Sequence, residues 1–116
     1  MDDSILTSVK NDLGMTEEYE AYDEQIIGYI NTVFVILYQM GIGPDHVFSI
    51  KDKTSTWNEF TEENSELDAV KTYMYQRVKM IFDPPQNSSH MDALKETSKE
   101  LEWRLYTASN EYYPEP

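Results

Sequence analysis

The apolar positions of the chain fall into four runs of helical spacing, separated by polar, glycine-bearing or proline-bearing stretches. Ile5, Leu6, Val9 and Leu13 make a first short face. Ser4 stands where a helix needs a side-chain acceptor, and Gly14 where it needs a stop. The clearest run is Ile26, Ile30, Val33 and Leu37, whose steps of four, three and four residues put them on one side of a helix. Ile27, Phe34 and Tyr38 widen that stripe, which predicts a central helix, and Gly41-Ile42-Gly43-Pro44 ends it. A third run carries Leu67, Val70, Met74, Val78 and Ile81, with Tyr73 and Met80 on a neighbouring face and Arg77 between them. A helix apolar on more than one side is either deeply buried or shared with another subunit. Asp83-Pro84-Pro85 stops it. Ser88 or Ser89 is then the expected cap of a last helix, with Met91, Leu94, Leu101, Leu105 and Ala108 inward and Trp103 and Tyr106 off that stripe.

The stretches between these runs differ in character. Met15 to Asp23 is an acidic, tyrosine-bearing connector in which the start of the second helix is not marked. Residues 42–56 make a long connection whose centre, Val47 to Lys53, alternates in part and suggests an extended or hairpin-like path. Thr56-Trp57-Asn58-Glu59 is a capping-box pattern that opens one helical turn through Phe60. Thr61 to Ser65 is polar punctuation, with Ser65 the expected cap of the next helix. Together these elements predict an all-α fold: a small bundle of four helices plus a short extra helical turn, with one long loop between the second and third helices. Residues 1–110 are expected to form the single domain, and residues 111–116 a flexible, proline-rich tail.

Composition narrows the function. A length of 116 residues with 40% apolar content suits one modest core. The absence of cysteine excludes disulfides and thiolate zinc sites. The segment Met1-Asp2-Asp3-Ser4 lacks the pattern of a signal peptide, and no apolar run approaches the roughly 20 residues of a membrane helix, so a soluble protein made in the cytoplasm is expected. The formal charge of −13 argues against duplex-DNA binding, which requires cations to replace condensed counterions.

Catalytic patterns are missing. His46 and His90 stand in separate connections, neither in a ligand-spaced motif. The many carboxylates, from Glu17 to Glu24 and from Glu59 to Asp68, show no calcium-loop spacing and read as solvated acidic faces. Gly14, Gly28, Gly41 and Gly43 are too scattered to cradle a phosphate. No catalytic, cofactor-binding or metal-binding residue is therefore assigned, and no enzyme activity is expected. Most of the nine basic residues read as partners for the surplus acids, but Lys51 and Lys53 stand out as local positive charge in the long loop. Trp103 and Tyr106, on the outer side of the last helix, suit a contact between subunits, because tryptophan and tyrosine are enriched at interface hot spots. Trp57 either closes the core from above or joins a contact made by the loop.

Five segments carry a resemblance that spans nearly the whole chain. They are Ile5-Leu6 with Val9-Lys10 and Leu13-Gly14; Ile30-Asn31 with Leu37 to Gly43; Phe48-Ser49-Ile50 with Thr56-Trp57; Val70 to Tyr73 through Phe82-Asp83-Pro84-Pro85; and Leu101-Glu102-Trp103-Arg104-Leu105. In these the chain resembles the phage head–tail connector family, the adaptor or head-completion proteins of long-tailed phages and prophages of Gram-positive bacteria. The resemblance implies a helical subunit of the virion that forms a homo-oligomeric ring beneath the portal protein. Such a ring extends the channel through which DNA passes without specific binding, and docks the next head-completion or tail protein. Assembly in the host cytoplasm is expected, with no membrane partner. Tyr73, Arg77, Met80, Trp103 and Tyr106 are the expected subunit contacts, and Phe48, Ile50, Lys51, Lys53 and Trp57 the expected loop contacts to the portal or neighbouring ring. The competing expectation from charge alone is an acidic inhibitor that mimics DNA and blocks a nucleic-acid enzyme.

Overall fold

The computed structural model describes residues 4–60 and 67–112, with side chains through Thr107. Five helices follow one another: α1 (Ile5–Asp12), α2 (Asp23–Gln39), α3 (Trp57–Phe60), α4 (Leu67–Phe82) and α5 (Ser88–Tyr112). No strand occurs among the described residues; the sole β-type pairing is an isolated bridge of Ser4 with Thr56. The helical bundle with one extra turn is thus the observed architecture.

The caps explain most boundaries. Ser4 Oγ accepts from the Thr7 amide at 3.2 Å and starts α1. Gly14 follows its end at a φ of +85°, letting the Gly14 and Met15 amides turn back to the Asn11 and Lys10 carbonyls. The capping box at α3 is reciprocal: the Thr56 amide donates to Glu59 Oε1 at 2.9 Å, and the Glu59 amide to Thr56 Oγ1 at 3.3 Å. At α5 the cap is Asn87 rather than a serine, its Oδ1 accepting from the amides of Ser89 at 2.8 Å and His90 at 3.2 Å. The amide oxygen of an asparagine one position earlier serves as well as a hydroxyl. α2 has no side-chain cap; Asp23 and Glu24 in its first turn instead complement the positive end of the helix dipole. The proposed cap Ser65 lies outside the described residues.

α4 packs against both α2 and α5, while α1 leans on α2 and α4. The core draws on Ile5, Leu6 and Val9 of α1, on Ile26, Ile30, Val33, Phe34 and Leu37 of α2, and on Val70, Tyr73, Met74 and Val78 of α4. Val70, Met74 and Val78 of the expected α4 stripe are buried, and the buried face extends beyond them. Tyr73 is sealed inside, whereas Ile81 is exposed, because α5 lies across the Tyr73 side and extends the interior there. Tyr38, expected to widen the α2 stripe, is likewise exposed.

The long connection is neither hairpin-like nor free. Asn31 on α2 holds it from both sides of one residue: its Oδ1 accepts from the Ile50 amide at 2.8 Å, and its Nδ2 donates to the Ile50 carbonyl at 3.0 Å. Ile50, Trp57 and Phe60 are buried, and Phe34 gathers the rings of Phe48, Phe60 and Trp57 within 5.0, 4.9 and 6.2 Å of its own. Gly43 passes against this cluster with a φ of +98°, where an added Cβ would sit 2.6 Å from the Phe60 ring.

A buried cation fixes the acidic connector. Lys10 on α1 is almost wholly enclosed; its Nζ donates to the Glu17 carbonyl at 3.0 Å and meets Asp23 Oδ1 at 2.8 Å. One ammonium thereby joins α1, the turn after it and the first residue of α2. An amphipathic lysine stem can lie in a core when its charged end reaches oxygen partners.

Candidate interaction surface

The residues expected to meet other subunits separate into an inner and an outer set. Tyr73 belongs to the interior of the chain. Its hydroxyl donates to Glu102 Oε2 of α5 at 2.5 Å, so it joins two helices of one chain. Burial, and then the hydrogen bond to Glu102, push its phenol well above the ordinary value near 10. Arg77 stacks at 6.0 Å over the Tyr73 ring. Arg77 and Met80, both half-buried, line a groove of about 610 Å³ between α4 and α5.

Trp103 and Tyr106 are on the outside. Trp103 is 66% exposed, the most exposed of the large apolar side chains described, and Tyr106 is 48% exposed. They border a second groove of about 530 Å³, mostly apolar, whose other wall is Ile36, Gln39 and Met40 at the C-terminal end of α2. Lys99 and Glu102 form its rim. Glu102 is committed to Tyr73, and Glu100 beneath Trp103 pairs with Arg104 at 3.0 Å, whereas Lys99 makes no ion pair among the described residues. Tryptophan and tyrosine are enriched at surfaces where another macromolecule binds.

The loop set divides likewise. Phe48 is half-buried against Phe34, and Ile50 and Trp57 are buried, so all three contribute to the core of the chain. The physical reason is the Asn31 clamp, which pulls the loop centre onto α2. Only Lys51 and Lys53 of that set face solvent. The sequence pattern missed the Lys10–Asp23 pair and the Asn31 clamp, because both join residues that are far apart in any periodic reading.

Among the described residues no group of three or more His, Asp or Glu side chains could hold a metal ion. His46 and His90 are both exposed, and His46 has only Asp45 beside it, at 3.3 Å. No helix among the described residues is long and apolar enough to cross a membrane.

No curated protein and no solved structure matches the chain. A family model does, over residues 5–112, and that family is described as phage connector protein. The matched span runs from the first residue of α1 to the last of α5 and takes in every packing element above. The chain therefore belongs to the phage connector protein family.

Proposed function

We propose that the protein is a head–tail connector subunit that assembles into a homo-oligomeric ring beneath the portal protein, at the head–tail junction of the virion. The ring extends the DNA channel and offers a docking surface to the next head-completion or tail protein. The observation that carries this reading is the outward Trp103 beside the α2–α5 groove, in a chain of the connector family. A tryptophan held in water forgoes most of the roughly 1.5–3 kcal/mol that its burial contributes, and a neighbouring copy recovers it. A ring needs a heterologous contact whose rotation closes, and a groove unlike the surface that fills it has that asymmetry. The net charge of −13 suits a conduit, because an acidic wall repels the passing duplex instead of holding it.

Size-exclusion chromatography with light scattering tests the reading, first on the isolated chain and then with a portal protein from the same phage. A ring-sized species in either sample is expected. Trp103→Ala should abolish it while leaving urea stability within about 0.5 kcal/mol, as for a surface position. A chain that stays monomeric and never co-migrates with the portal refutes the proposal.

A further inference from the structure

Charge is distributed unevenly over the fold. Residues 4–24 hold six acids against one base, and that base, Lys10, is buried. Residues 67–107, which form α4 and most of α5, hold six bases against six acids. The acidic end carries its own exposed rings: Tyr19 and Tyr22 are each close to half exposed and pack 6.0 Å apart. The α5 end carries the apolar groove of Ile36, Met40, Trp103 and Tyr106, with Lys95 and Lys99, which make no ion pair among the described residues, along the same helix. These two surfaces cannot meet within one protomer. Tyr22 immediately precedes α2, and Ile36 to Met40 close it, which separates them by roughly 24 Å along the helix axis at 1.5 Å per residue.

The geometry points to a specific partner for the groove: the acidic turn of residues 16–22 from a second copy of this chain. This contact presupposes the self-assembly proposed above. Tyr19 and Tyr22 of one copy cover Trp103 and Tyr106 of the next, while Glu17, Glu18 and Glu20 approach Lys95 and Lys99. The arrangement brings an acidic turn that has no base of its own to the part of the other copy where negative charge is already balanced. It thereby avoids the like-charge repulsion that two copies of net charge −13 meet in other orientations. Two different surfaces at opposite ends of α2 make the contact head to tail, so it repeats around a ring. Lys10 has a place in this scheme: by gripping the Glu17 carbonyl and Asp23, it presents the turn in one fixed shape.

Charge reversal and cross-linking test the contact, after association of the unaltered chain has been measured by light scattering, alone and with portal. Lys95→Glu with Lys99→Glu should weaken association at least tenfold. Glu17→Lys, Glu18→Lys and Glu20→Lys together should do the same. The chain bearing all five changes should recover to within about threefold of the original. All of these positions are exposed, so circular dichroism should show unchanged helix content. The chain lacks cysteine, so Tyr19→Cys combined with Tyr106→Cys should give a ladder of disulfide-linked multimers on mild oxidation. Val47→Cys combined with Tyr106→Cys should give none. A chain that associates normally yet ignores both charge reversals, or forms equal ladders from the two cysteine pairs, overturns this contact and leaves the ring reading standing. A chain that associates in neither sample removes both.

Discussion

Replacing Lys10 by methionine isolates the contribution of the buried ammonium. Methionine keeps most of the stem's volume, so the cavity left behind is small, while the charge and its donors vanish. The Glu17 carbonyl then loses the donor at 3.0 Å, and Asp23 loses the cation at 2.8 Å. Removing one partner of a fully buried ion pair costs about 3–5 kcal/mol, because the other charge is left without compensation. Here Asp23 keeps 24% of its side chain exposed, so water makes good part of the loss. The expected cost is therefore about 2–3 kcal/mol, against a total stability on the order of 5–15 kcal/mol for a domain of this kind. Urea unfolding followed by tryptophan fluorescence measures it, since Trp57 is buried and reports loss of the core. A double-mutant cycle with Asp23→Asn separates the pair from other consequences of losing the lysine: the combined variant should be less unstable than the two single losses added together. A cost below about 0.5 kcal/mol for Lys10→Met, or strict additivity with Asp23→Asn, would refute the assignment of Lys10 as the clamp of the acidic turn.

Three further outcomes follow from the same packing. Asn31→Leu should cost about 2–3 kcal/mol in urea unfolding, because it leaves both the amide and the carbonyl of Ile50 without a partner, and it should speed hydrogen exchange across residues 48–52. Gly43→Ala should destabilise more than Gly14→Ala, by at least about 1 kcal/mol in the same assay. Both glycines have positive φ, but only at Gly43 does the new methyl meet the Phe60 ring; at Gly14 nothing lies within 4 Å. For Tyr73 the folded phenol titrates above its unfolded value, so its contribution is complete below about pH 10 and declines as pH rises beyond that. Tyr73→Phe should flatten this alkaline loss in a pH series of thermal unfolding, and equal slopes for the two chains would contradict it.

Periodicity was the strongest signal in the chain. The three-four spacing of Ile26, Ile30, Val33 and Leu37 located α2, and all four residues are buried. Local chemistry set the edges wherever a single side chain could do so, as with Ser4, the Thr56–Glu59 box and the positive-φ Gly14. A cap acts within three or four residues, so it is readable one-dimensionally. The α5 cap falls one or two residues before the expected Ser88 or Ser89, because Asn87 suits the position equally and only the geometry of the turn chooses among the three.

What the sequence determined by itself was the helical class, the approximate extent of each long helix, the lack of metal and nucleotide motifs, and a resemblance to connector proteins, to whose family the matched span of residues 5–112 assigns the chain. What tertiary structure decided was the fate of residues whose surroundings come from distant segments. Tyr73 and Trp103 look alike in sequence, each an aromatic beside an apolar stripe. One is sealed because α5 crosses α4 above it, and the other stays in water because none of the described residues covers it. Phe48, Ile50 and Trp57 turned inward because Asn31, many residues earlier, captures the loop backbone. Burial is set by the chain as a whole, since an apolar side chain is covered only by whatever the rest of the fold places over it.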